Sequence, residues 1–312
     1  MQNLIKSPVL LIVFNRPDTT QKVFGAIKRA MPQKLYIAAD APRVGNSEDE
    51  KGCASVKEIV TQVNWDCDVH YRFADVNQGC GPGPFNAISW AFEKEDRLII
   101  LEDDCVPALP FFDYCNELLE RYKDDTRIWI ISGNQYNEEA VTTPHSYFFS
   151  RYGHSQGWAT WRRCLPVDLN IQKWPLMKKQ GLFKACFASK EEVIFFEKKY
   201  NNAYSSNSLN SHSWDIQFSF FLRSNNALSI VPSKHLVTNI GYIGTHSSGK
   251  LWYHDLPVDE SYLIKSHPDF VLPDLDYDAY HFRHHWNRQV KVSFYKYIRR
   301  IIRSFGKRIL NK

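Results

Sequence analysis

The stretch Leu98-Ile99-Ile100-Leu101-Glu102-Asp103-Asp104 decides how this 312-residue chain is read. Four consecutive apolar residues are the pattern of a short strand buried on both faces, as in a parallel sheet. Three carboxylates follow at once, and they repel one another. A solvated acidic turn is one explanation. The other is a divalent cation, Mn²⁺ or Mg²⁺, held by oxygen ligands and bridging a diphosphate, which offsets the repulsion and helps a nucleoside diphosphate leave.

The neighbouring runs favour the second explanation. Val9 to Phe14 is a continuous apolar strand followed by Asn15-Arg16, and Leu35 to Ala39 is another, ending in Asp40. Between them, Val23, Phe24, Ile27 and Ala30 recur at helical spacing behind Pro17. Val56 to Val63 reads as a helix, Val69 to Phe73 as a strand and Ala87 to Glu93 as a helix. This alternation predicts an α/β chain with an open, mostly parallel sheet flanked by helices. Such sheets bind ligands beyond the carboxyl ends of their strands, which is where Asn15, Arg16, Asp40 and the acidic triplet fall.

Further along, Pro110 to Lys123 predicts a helix and Ile128 to Ile131 a strand. Trp214 to Leu222 predicts a helix capped by Ser213, with short strands at Ala227 to Val231 and Leu236 to Ile240. Residues 165–210 are polar and lysine-rich, and Asn201 to Ser211 reads as a mobile loop.

Composition excludes several classes. Hydrophobic residues make up 44% and charged residues 23%, ordinary for a globular protein. The net charge of +5 is a property of the C-terminus: from Arg288 to Lys312 nine residues are basic and none is acidic. The remaining 30 basic residues face 34 acidic ones, so a nucleic-acid-binding body is not indicated. The seven cysteines form no CxxC pair, which speaks for reduced thiols in a cytoplasmic protein. No signal peptide and no spanning apolar segment is expected.

The motifs together resemble a family. Asn77-Gln78-Gly79-Cys80-Gly81, Ala87 to Glu93, and Ile99 to Pro107 look like bacterial nucleotide-diphospho-sugar transferases of surface-polysaccharide synthesis. More distantly they are similar to the eukaryotic N-acetylglucosaminyltransferase I family. Phe148 to Tyr152, Gly157 to Arg163, Trp214 to Gln217 and Asn239 to Tyr242 with Thr245-His246 extend the likeness over roughly residues 8–250. The resemblance implies a GT-A fold and an inverting glycosyltransferase using a nucleotide-sugar donor, with uridine as the base. It makes Asp104 the direct metal ligand, lets Asp103 bond the ribose and has Glu102 support the loop. Asp40 would accept from the base, Arg16 would lie near the diphosphate, and Asn15 would order that loop. Asn77, Gly79 and Gly81 belong to the donor loop, although Pro82 stands where a basic residue is expected.

Asp215 matches the position of the family's catalytic base. Ionised near a helix start, it could take the proton of an acceptor hydroxyl. His246 is a second candidate metal ligand, with a surface histidine as the alternative. Trp158, Trp161 and Trp214 either shape the acceptor and sugar pocket or pack in the core. His281, His284 and His285 could share a metal on one helix, but no cysteine or carboxylate joins them in sequence.

The chain divides into an expected transferase domain (1–255), an extension (256–289) and a basic amphipathic helix (290–312). In the last, Ile298, Ile301, Ile302 and Phe305 oppose Lys296, Arg299, Arg300 and Arg303, the pattern of a helix lying on an anionic membrane. The expected acceptor is therefore a saccharide or lipid-linked saccharide at the cytoplasmic face. Two other functions remain open at this level: a sugar-1-phosphate nucleotidyltransferase, and a non-catalytic nucleotide- or carbohydrate-binding protein.

Overall fold

The computed structural model describes residues 5–166, 171–205, 214–242 and 249–286. The first third alternates strand and helix: β1 (Val9–Val13), α1 (Pro17–Ala30), β2 (Lys34–Ala39), α2 (Ser47–Val60), β3 (Asp68–Phe73), α3 (Pro82–Phe92) and β4 (Arg97–Glu102). Next come β5 (Cys105–Pro107), α4 (Pro110–Arg121), β6 (Ile128–Ser132), β7 (Tyr147–Ser150) and β8 (Trp158–Trp161). Then follow α5 (Trp174–Lys179), α6 (Lys190–Ser205), α7 (Trp214–Ser224), β9 (Leu228–Pro232), β10 (Val237–Asn239) and α8 (Leu275–His281).

Eight strands form one sheet in the order β3-β2-β1-β4-β8-β6-β9-β7. Pairings are parallel from β3 through β4 and between β6 and β9, and antiparallel around β8 and at β7. β5 and β10 make a separate antiparallel pair. This is the α/β sheet that the apolar runs predict.

Side-chain alternation decides what each face packs against. Val9, Leu11, Val13, Leu35, Ile37, Ile99 and Leu101 join α1, α2 and α4 on one face. Leu10, Tyr36, Ala38, Leu98 and Ile100 meet α3 and α7 on the other. The same rule bears on the two alternatives left open for the tryptophans. In the four-residue strand β8, Trp158 and Trp161 are three apart and so point to opposite faces. Trp161 is buried in the α4 core with its indole N–H donating to Leu119 O at 3.0 Å. Trp158 is also fully buried, stacked 5.7 Å from Trp214.

The segment unread in the sequence has its own aromatic core. Trp174, Phe183, Phe187, Phe196 and Tyr200 pack with Tyr152, Phe220 and Phe282. Where a loop is expected from Asn201, α6 runs on to Ser205, and Asn201 accepts from the Trp174 indole at 3.0 Å. Residues 206–211 of that expected loop, and the Ser213 cap, lie outside the described residues.

Residues 256–286 run back over the body. Tyr262 hydroxyl donates to Ser146 O, Lys265 N donates to Ser146 Oγ at 2.7 Å, and Ser150 Oγ donates to Asp278 at 2.5 Å. The basic segment 290–312 lies outside the described residues.

Candidate active site

Parallel pairing brings the ends of β1, β2 and β4 together. Ile12 is in register with Glu102, and Asp40 N donates to Val13 O at 3.1 Å. At this edge Arg16 bridges two members of the acidic triplet. Its guanidinium pairs with Asp103 and reaches Asp104 Oδ2 at 3.0 Å. Asp103 is 4% exposed and also accepts from Phe14 N at 3.3 Å. In this arrangement Asp103 holds Arg16, and a ribose contact needs the pair to open.

Asp104 sits under a second clamp. Asn239 Nδ2 donates to Asp104 Oδ1 at 3.2 Å, and Ile240 N donates to the Asp104 carbonyl at 2.9 Å. The β5–β10 pair, with Asn239 opposite Cys105, produces this approach. Gly241 passes so close that an added Cβ would collide with the Asp104 carboxylate. Asn239 and Gly241 fall in the Asn239 to Tyr242 motif, yet residue type alone gives no hint that they cover the acid.

Asn15 and Asp40 organise loops. Asn15 Nδ2 donates to the buried Asp49 at 2.7 Å, and Asp49 is paired to Arg43. Asp40 accepts from the backbone N–H groups of Gln78 and Gly79, each at 2.9 Å, and from Asn77 Nδ2 at 3.2 Å. Both Asp40 oxygens are therefore engaged in shaping the 77–79 loop, and a base contact requires that loop to shift. Gly79 has φ +72, which the turn needs and a side chain would strain. Gly81 precedes α3, and Pro82 takes the first helical position, where its missing N–H costs nothing.

Asp215 stands exposed in the first turn of α7, whose Trp214 N donates to Cys80 O at 3.4 Å. It is close enough to Glu102, Lys199 and Tyr253 to act on their proton affinities. Tyr253 also feels Asp104, so the two carboxylates face one region. Burial, then Asp104, Asp103 and Asp215, push the Glu102 carboxyl up to about 8 against the pull of Arg16. With Glu102 holding its proton near neutral pH, three carboxylates against the Arg16 guanidinium still leave surplus negative charge. An oxygen-preferring dication fits such a donor set. His246 lies outside the described residues.

Of the sequence-predicted residues, the fold brings Arg16, Glu102, Asp103, Asp104 and Asp215 together, with Asp40, Asn77 and Gly79 on the adjoining loop. A cleft of about 750 Å³ at the opposite strand ends is lined by Lys34, Glu95, Arg97 and Arg162. Most of its charges are already paired, Lys34 with Glu95 at 2.8 Å, Arg97 with Glu120 at 2.6 Å and Arg162 with Asp96.

No protein-family model matches the chain, and no curated protein matches it. Solved structures overlap with it in part. UDP-glucose pyrophosphorylase complexed with UDP-glucose aligns over 50% of this chain and 76% of its own at 8% identity and TM-score 0.28. HddC from Yersinia pseudotuberculosis complexed with GMP-PN aligns over 52% and 80% at 10% identity and TM-score 0.32. Overlaps this slight carry no weight for the chemistry, which rests on the residues themselves. None of the seven cysteines is joined in a disulfide, and no helix among the described residues is long and apolar enough to cross a membrane.

Proposed function

We propose that the chain is an inverting glycosyltransferase acting on a nucleotide-diphospho-sugar. The observation that carries the reading is the convergence of the β4 acids, Arg16 and Asp215 at the carboxyl ends of parallel strands. Asp104, with His246 as a second candidate, would hold a divalent cation. Such an ion supplies positive charge to the departing diphosphate. Arg16 adds a fixed positive charge beside it, released toward the phosphates when its pair with Asp103 opens. Asp40 acts on the nucleotide through the 77–79 loop that it shapes.

Asp215 takes the proton from an acceptor hydroxyl as that oxygen bonds the anomeric carbon. The bond from that carbon to the diphosphate oxygen breaks on the opposite side, which inverts the centre. Exposure of Asp215 suits a base that must meet an incoming acceptor, and its place in the first turn of α7 holds it at the cleft's edge. Residues 1–255 form the catalytic unit in this reading and 256–289 brace it. The basic segment 290–312 would bring the enzyme to an anionic cytoplasmic membrane and a lipid-linked acceptor. Deleting 290–312 should release the protein from anionic vesicles, and unchanged binding removes the membrane from the account.

The test is product analysis with UDP-, GDP- and dTDP-sugars, Mn²⁺ and saccharide or lipid-linked acceptors. Release of nucleoside diphosphate with an inverted linkage is expected. Pyrophosphate released from a nucleoside triphosphate and a sugar 1-phosphate would replace the reading with a nucleotidyltransferase. Nucleotide binding without turnover would leave a binding protein.

A further inference from the structure

Away from the acids, three histidines distant in sequence meet. His154 lies in the connection between β7 and β8. His281 ends α8, and His285 follows one turn later in the π-helical turn Phe282–Trp286. One ring nitrogen from each lies within 4.8 Å of the other two. His154 Nε2 and His281 Nε2 are 3.0 Å apart. His281 and His285 stack at 4.7 Å between centroids, 15° from parallel. Two histidines four apart on one helix with a third from elsewhere is a recurring metal-binding pattern.

The surroundings are built to hold these rings. The buried Asn137 amide lies 2.7 Å from His281 Nδ1 and fixes the ring from behind; turned so that its oxygen accepts from Nδ1–H, it leaves Nε2 with a lone pair for a metal. Tyr136 packs against His154 and His285 at 4.7 Å each, with its hydroxyl donating to Gln156 at 2.8 Å. Such outer contacts orient ligating imidazoles in metal sites. A second observation is independent of the spacing. His285 is 6% exposed, and its Nδ1 has no hydrogen-bond partner among the described residues. A buried ring nitrogen left so costs free energy unless something occupies the space beside it. Isolated π turns inside helices are also frequent at functional sites.

We infer that His154, His281 and His285 form a site for a zinc-type transition-metal dication, which fastens the α8 end of the chain to the β7–β8 connection. Metal–nitrogen bonds of about 2.0–2.1 Å set two ligand nitrogens roughly 3 Å apart, as the first two already stand. A small rotation of His285 brings in the third. Burial holds all three imidazoles neutral near pH 7, His154 pushed down to about 3, so each keeps a lone pair to offer. An all-nitrogen set selects Zn²⁺, Co²⁺ or Ni²⁺ over Mg²⁺ or Mn²⁺. The neutral ligands leave the ion's charge uncompensated, so the fourth position takes water, hydroxide or an anion. This site is independent of the glycosyltransferase reading.

The experiment titrates the full chain, made without a histidine tag and stripped by chelator, with Co²⁺. Visible ligand-field absorption and metal content per chain are read together. One Co²⁺ per chain, displaced by Zn²⁺, is expected, with Zn²⁺ raising Tm by about 3 °C or more. His154→Gln and His285→Asn should lose the absorption while near-ultraviolet circular dichroism stays native, and Asp104→Ala should keep it. If the variants do not fold, X-ray absorption at the zinc edge of the wild-type protein decides. Three imidazole nitrogens at about 2.0 Å support the site, and an oxygen-only shell overturns it. Folded wild-type protein that binds neither ion also overturns it, as does absorption that survives both histidine substitutions or disappears with Asp104.

Discussion

Two clusters of ligand-type side chains lie among the described residues, and they are assembled in opposite ways. Three acids of the first cluster, Glu102 to Asp104, are contiguous in sequence, and the cluster carries surplus charge where the parallel strands end. The imidazole cluster is neutral, and His154 and His281 are 127 residues apart. The first opens to a mobile ligand: Asp215 is exposed, and Asp104 and Arg16 keep some solvent contact. The second is closed by Tyr136, Trp286 and the aromatic core. The contrast teaches that donor chemistry and access together separate a site for turnover from a site for fastening.

The largest effect should come from Asp215→Asn. Losing the base should lower turnover by about 10²–10⁴-fold with donor affinity kept, measured by steady-state transfer and nucleotide titration. Equal loss of binding and turnover would move Asp215 from base to donor contact and blur the distinction between an open acceptor face and a metal pocket. The Co²⁺ absorption of the imidazole cluster should not change in this variant.

Gly241→Ala comes next. The new methyl must displace the Asp104 carboxylate or the β10 end. We expect a loss of about 1–3 kcal/mol in stability or in metal-dependent nucleotide affinity, read by thermal melting and calorimetry. A silent substitution would mean that the loop over Asp104 moves freely and does not shape the site.

The smallest effect is the dependence on pH. Glu102 holds its proton more tightly in the folded chain than its ordinary value near 4.5. Stability from this group is therefore complete below about 4.5 and lost as pH rises through about 8. Glu102→Gln should flatten that slope and stabilise the metal-free protein at pH 8–9 by on the order of 1–2 kcal/mol. Added Mn²⁺ should flatten it in the wild-type protein too. Denaturant titrations across pH check both, and a slope unchanged by either treatment would remove the surplus charge from the account.

The acidic cluster was legible because its chemistry is local. Four apolar residues before Glu102 announce the strand, and the runs before Asn15 and Asp40 place the other strand ends beside it. The clamp on Asp104 was not, since Asn239 and Gly241 act through the β5–β10 pairing, which no local pattern specifies. Trp161 parts from Trp158 by period two, but only once the four-residue strand that carries both is known. The strands Tyr147–Ser150 and Trp158–Trp161 were hidden by aromatic residues that serve pockets and cores alike. His281 and His285 showed helical spacing, but His284 belonged to the candidate set only by nearness. In the structure it turns away, bonding Tyr280 O at 2.9 Å, and His154 supplies the third ring. Contacts closed by long chain separations leave no mark in a single sequence.

The central claim is that the β4 acids form a metal-dependent nucleotide site. Calorimetric titration of wild-type protein and Asp104→Ala with UDP, GDP and dTDP, each with and without Mn²⁺, tests it most directly. The account predicts that one nucleotide binds the wild-type protein only with Mn²⁺ and that Asp104→Ala abolishes the difference. Binding indifferent to Mn²⁺, or equal in both proteins, would contradict it.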